Sequence, residues 1–108
     1  MKDDAPLGTF EEQVLVAILR TGAEAYGMNV RREIENVTDR DVAIGAVYAT
    51  LDRLEAKRLV RSFRGYTDDN RERRLFEVTR AGAVALADSK AMRERLWRGV
   101  SVLDLLQT

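Results

Sequence analysis

Five arginines, Arg61, Arg64, Arg71, Arg73 and Arg74, crowd one short stretch of the chain beside Asp68, Asp69 and Glu72. Guanidinium groups at that density neutralise phosphates, and from an exposed hairpin they position a protein on a nucleic-acid backbone without reading sequence. The same arginines could instead solubilise the hairpin and pair with its carboxylates. A second group precedes them. Gly45, Ala46, Ala49 and Ala56 recur at helical spacing with Arg53, giving a face small enough for base edges to be approached closely, with one guanidinium suited to guanine or phosphate. Small residues there are equally what a plain solvated helix face shows.

Other chemistry is thinly provided for. Among 108 residues there is no cysteine and no histidine, which removes thiolate nucleophiles, disulfides, the commonest metal ligand and the usual general base. No Asp-x-Asp-x-Asp-Gly loop, GxGxxG or Walker-type loop occurs. An enzyme, a metal site or a cofactor is therefore not expected. Net charge is zero, which counts against nucleic-acid binding unless positive charge is segregated, as it is between Arg61 and Arg74. No apolar run reaches the ~18 residues of a membrane span, and the N-terminal stretch lacks a signal-peptide core, so a cytoplasmic protein is expected.

At 45% apolar and 33% charged residues, the chain can bury one modest core. Thr9-Phe-Glu-Glu12 reads as a capping box opening a helix over 9–21, with Phe10, Val14, Leu15, Ile18 and Leu19 at helical spacing and Gly22 as the stop. A second helix, 25–37, carries Tyr26, Val30, Ile34 and Val37 on one stripe, and the run 38–41 reads as a turn. A third, 44–57, packs Ile44, Val47, Leu51 and Leu54. The segments 59–66 and 73–78 read as strands of a hairpin whose polar tip, 67–72, is flexible. Thr79 caps a last helix over 80–106, striped by Met92, Leu96, Val100, Leu103 and Leu106, with Trp97 and Val102 broadening the stripe and Gly82 and Gly99 lowering propensity.

The fold class that follows is mainly α with a small β-hairpin, a winged helix-turn-helix in which the third helix enters the major groove and the hairpin follows the backbone. Residues 1–79 form that unit. Residues 80–108 form a C-terminal dimerisation helix packed with helix one rather than an independent domain. Tyr26 is read as core. Tyr48, at the edge of the third helix's apolar stripe, is placed to pack its ring in the core and point its hydroxyl at phosphate. Trp97, Met92, Leu96, Val100 and Leu103 form a dimer interface or line an effector cavity. The alternative function is a winged-helix module that binds protein rather than specific DNA.

Over about residues 7–98 the chain resembles the PadR family of bacterial transcriptional regulators. The resemblance rests on Leu7-Gly8, on Glu24-Ala25-Tyr26-Gly27, on the specific run from Ile44 through Glu55 (IGAVYATLDRLE), and on Arg74-Leu75-Phe76-Glu77-Val78-Thr79-Arg80-Ala81-Gly82. It implies a homodimeric winged-helix regulator, usually a repressor, that binds a double-stranded pseudo-palindromic operator through Tyr48 and Arg53 of the recognition helix and Arg74 of the wing. It also implies a C-terminal helix making much of the dimer interface, and release by a small aromatic or hydrophobic effector. A single C-terminal helix resembles the family's short branch. Three positions depart from the family pattern. Ala43 stands where a serine would cap helix three, with Asp41 as the expected substitute. Arg58 stands where glycine is common, so a left-handed residue there would be strained. Asn70-Arg71-Glu72-Arg73-Arg74 replaces a glycine-glycine-arginine wing.

Overall fold

The computed structural model describes residues 6–107. In chain order it has α1 (Thr9–Thr21), a 3₁₀ turn (Gly22–Glu24), α2 (Gly27–Thr38), α3 (Ile44–Ala56), β1 (Val60–Tyr66), β2 (Glu72–Val78), α4 (Arg80–Trp97) and the short α5 (Leu103–Leu106). This is the mainly helical winged helix-turn-helix with a two-stranded antiparallel wing and a C-terminal helix that the periodicities predict. One core holds it together: Val14, Leu15, Ala17 and Ile18 of α1, Ala25, Val30 and Ile34, then Val47, Leu51 and Leu54 of α3, closed by Val60 and Phe76 of the wing. Each fully buried aliphatic or aromatic side chain contributes roughly 1.5–3 kcal/mol by leaving water.

Several boundaries differ from the sequence reading, for identifiable reasons. The start of α1 is capped one residue early. Gly8 is the extended N-cap, and its amide donates to Glu11 Oε1 at 2.9 Å, so Glu11 and not Glu12 makes the reciprocal contact. Glu11 is held there by Lys57 Nζ at 3.1 Å, which ties the entry of α1 to the exit of α3. Helix two begins at Gly27 because the 3₁₀ turn and Ala25 intervene, and Asp39 ends it in the left-handed region at φ 56°. Val37, and Leu19 of α1, are more than half exposed rather than core. Asp41 does not cap α3. The N-cap Ala43 has no side-chain cap, and Glu35 Oε2 instead accepts from the Val42 amide at 2.9 Å.

Arg58 does adopt φ 63°. Its amide donates to Glu55 O and that of Leu59 to Leu54 O, both at 2.9 Å, the paired bonds that close a helix when the residue after the cap turns left-handed. From there the chain enters β1. The junction with α4 is tight: the Thr79 amide donates to Leu59 O at 3.0 Å, Thr79 Oγ1 donates to Arg58 O at 2.7 Å and accepts from the Gly82 amide at 3.1 Å.

The last helix is not continuous over 80–106. α4 stops at Trp97, Gly99 turns at φ 76°, and the Val100 amide donates to Trp97 O at 2.9 Å. The stripe is therefore divided, with Met92, Leu96 and Trp97 on α4 and Val100, Leu103 and Leu106 beyond the break. All six side chains are exposed in the single chain. Arg93 pairs with Glu12 and holds α4 to α1.

Candidate nucleic-acid interface

The outward side of α3 is built from small residues. Gly45, Ala46, Ala49 and Ala56 are all exposed, and a Cβ added to Gly45 would meet nothing within 4 Å. Helical geometry puts Arg53 on one shoulder of this strip and Asp52 on the other, wing-side shoulder. Arg53 Nη2 donates to Thr50 Oγ1 at 3.1 Å, which lays its guanidinium along the helix. Tyr48 packs its ring over α2, where a Cβ on Gly27 would come 2.5 Å from the ring, yet the side chain remains 42% exposed. It anchors α3 to α2 and still has a face open to solvent.

The wing pairs Val60 with Val78, Ser62 with Phe76, and Arg64 with Arg74. Directly opposed like charges destabilise a ladder, so two facing guanidinium groups call for anions. Arg74 has them. Its Nη2 lies 2.6 Å from Glu55 Oε1 and its Nη1 lies 3.5 Å from Asp52 Oδ1, with the group over the Phe76 ring. Glu55 in turn accepts from both the amide and the hydroxyl of Ser62 through Oε2. The Ser62 hydroxyl, foremost, and Arg74 hold its carboxyl below the usual range despite some burial. Arg64 makes no hydrogen bond or ion pair among the described residues, and its positive charge is left uncompensated.

Arg61 pairs with Glu77 across the strands and lies over Phe63. Arg73 is locked more firmly, with its guanidinium 4.0 Å from the Tyr26 ring centroid, 3.1 Å from Thr67 Oγ1 and 2.9 Å from Asp69 Oδ2. The Thr67 hydroxyl, first, and Arg73 hold the Asp69 carboxyl down to about 2, while Asp69 raises the already high pKa of Arg73. Thr67 is buried, Asn70 takes a left-handed turn, and the Asn70 amide donates to Thr67 O at 2.8 Å. The tip expected to be flexible is thus knitted together and clasped to Tyr26, which is half-buried in this contact rather than in the core.

The structure therefore separates residues that looked equivalent in sequence. Gly45, Ala46, Ala49, Tyr48 and Arg53 share α3, and Arg64 and Arg74 share the wing face turned toward it. Arg61 and Arg73 sit on the opposite face. Met92, Leu96, Trp97, Val100 and Leu103 lie apart, on the projecting C-terminal segment. Asp52, Glu55 and Tyr26 as partners of the arginines escaped sequence reasoning. For Asp52 and Glu55 the available signal was their three-residue spacing, which puts both on the wing side of α3. Among the described residues no cluster of ligands suits a metal ion, and no helix is long and apolar enough to cross a membrane.

The model of the PadR-like transcriptional regulators matches residues 14–88, which include all of α2, α3 and the wing. The chain belongs to the PadR-like family of transcriptional regulators. A PadR-like transcriptional regulator from Bacillus cereus superposes with TM-score 0.77 over 94% of both chains at 22% identity. A PadR family regulator from Clostridium difficile gives 0.64 over 90% of this chain and 98% of its own at 23% identity. RosR of H. salinarum gives 0.69 over 92% and 84% at 24% identity. In sequence, an uncharacterized protein of Lysinibacillus sphaericus is 27% identical over 90 residues, 82% of this chain and 81% of that protein. Membership in this family implies DNA-binding regulation of transcription, and such regulators are generally not enzymes.

Proposed function

We propose that the protein binds a pseudo-palindromic operator as a homodimer, represses transcription from it, and is released by a small hydrophobic or aromatic effector. Residues 1–79 are the DNA-binding unit and 80–108 the dimerisation segment. The observation that carries the DNA reading is the open strip Gly45–Ala49–Ala56 of α3 beside a wing face that presents the uncompensated Arg64. α3 lies in the major groove with Arg53 at a base edge or phosphate, and Arg64 meets the backbone. Tyr48, with its ring packed, offers its hydroxyl to phosphate.

Dimerisation is supported by shape and surface. The radius of gyration is 15.9 Å against about 13 Å for a compact chain of this length, because α4 projects with Met92, Leu96 and Trp97 uncovered. Val16 and Leu19 of α1 are exposed as well. Apolar surface of this kind marks an interface. On this reading the effector lies at Trp97, between two copies. Two grooves among the described residues, one between α1 and α2 and one between α1 and the wing, do not border that residue.

The test is selection of duplexes from a randomised pool, followed by a salt series on the enriched site and on random duplex. Expected are an inverted repeat and an affinity that falls steeply with salt through counterion release. A protein that enriches nothing and binds duplex without salt dependence acts on other partners, as the protein-interaction reading requires.

A further inference from the structure

The carboxylate on the DNA-facing helix is unexplained by phosphate binding. Asp52 follows Ala49 by three residues and precedes Ala56 by four, so it stands on the strip that approaches DNA, with its side chain 66% exposed. A bare carboxylate there faces two phosphate backbones and the acceptor atoms of purine edges, and is repelled by all of them. Two features of the structure oppose that penalty. Arg74 Nη1 stands 3.5 Å from Oδ1, leaving Oδ2 without a hydrogen bond among the described residues. Arg74 is itself paired, since Glu55 Oε1 takes its Nη2 at 2.6 Å and Ser62 holds Glu55. The result is an exposed acceptor with its charge partly offset.

We propose that Asp52 is a specificity-determining residue that accepts a hydrogen bond from the N4 amino group of a cytosine in the major groove, the donor that suits a carboxylate. Arg74 acts as its positioning residue, holding one oxygen so that the other faces the base, and Glu55 braces Arg74 from behind. A C·G pair at that place supplies a donor. Any pair that puts only acceptors there leaves Asp52 unpaired and repelled, so the contact discriminates more by rejection than by attraction. This rests on the operator-binding reading above and adds to it the identity of one base pair in each half-site.

The experiment is parallel selection from a randomised duplex pool with the wild-type protein, Asp52→Asn, Asp52→Ala and Glu55→Gln, each checked for an unchanged far-ultraviolet circular dichroism spectrum. Wild type is expected to demand cytosine at one position of each half-site. Asp52→Asn should keep every other position and shift that one toward adenine, which an amide reads through N6 and N7. Asp52→Ala should lose preference there alone. Replacing that C·G pair should weaken wild-type binding by roughly tenfold or more, as a lost base contact does, and Asp52→Ala by less than about twofold. Glu55→Gln should weaken binding without changing the preferred base. Identical preferences in all four proteins overturn the proposal. So does a loss of preference at every position in Asp52→Ala, or a Glu55→Gln pattern that copies it, since either makes Asp52 a brace for the wing. A wild-type protein that selects no sequence overturns the operator reading and this one together, whereas a selected site indifferent to Asp52 overturns only this one.

Discussion

Arg58 holds φ 63° where a glycine would be unstrained, and the two hydrogen bonds that close α3 depend on it. A left-handed non-glycine residue costs roughly 1–2 kcal/mol, and glycine gives back part of that in chain entropy. Arg58→Gly is therefore expected to stabilise the protein by about 0.5–1 kcal/mol, read as a rise of a few degrees in Tm. A fall in Tm would mean that the Arg58 side chain supports the fold in a way its contacts do not show. At Asp69 the expectation concerns pH. Its ordinary value of 3.8 is lowered in the folded chain to about 2, chiefly by the Thr67 hydroxyl and then by Arg73. A carboxyl depressed by folding stabilises above its unfolded value, and that contribution is lost as pH falls from near 3.8 through about 2. Asp69→Asn should flatten the acid limb of the stability curve in that window, and a limb identical to wild type would contradict the clasp. Glu11 shifts in the same direction. Burial raises it, but the Gly8 amide and Lys57 outweigh that. The left-handed Arg58 could be foreseen because the resembled family commonly has glycine at that one position after helix three. The clasp could not, since Tyr26 and Arg73 are joined only by the folded wing.

Among the elements, α4 and the wing show what periodicity reveals and what it conceals. The first three helices follow from their apolar spacing because each buries most of its stripe in one core, Leu19 and Val37 excepted. The break in α4 was hidden because Met92, Leu96, Val100, Leu103 and Leu106 keep helical spacing straight through Gly99, whose positive φ ends the helix regardless. The start of α4 is fixed instead by a close approach. A Cβ on Gly82 would lie 2.1 Å from the Leu59 carbonyl oxygen and 2.8 Å from Val78. Gly82→Ala must push α4 off the wing and should cost about 1–3 kcal/mol in urea unfolding. A change under about 0.5 kcal/mol would show that the junction yields. In the wing, sequence treated Arg61, Arg64, Arg73 and Arg74 alike because their partners Asp52, Glu55 and Tyr26 are distant along the chain. Arg64 alone among these four lacks an internal partner. Arg64→Ala should reduce the slope of log affinity against log salt by about 0.9 for each phosphate it meets, while Arg61→Ala, on the other face and paired with Glu77, should leave it nearly unchanged. Equal effects would contradict the division between wing faces.

For the whole molecule, the central claim is that two copies of α3 are carried into successive major grooves by a dimer built on α4. Leu96→Glu should give a monomer in sedimentation at micromolar concentration where wild type is dimeric, and a monomeric wild type would contradict the interface. The groove-facing strip is tested most directly by footprinting an enriched duplex with wild type and with Gly45→Leu. A Cβ at Gly45 meets nothing within 4 Å, so a leucine there starts from open space, yet it projects from the face that must approach the bases. Expected are two protected half-sites about one helical turn, roughly 34 Å, apart for wild type, and loss of both with Gly45→Leu at unchanged Tm. Protection that survives Gly45→Leu would show that α3 does not enter the groove.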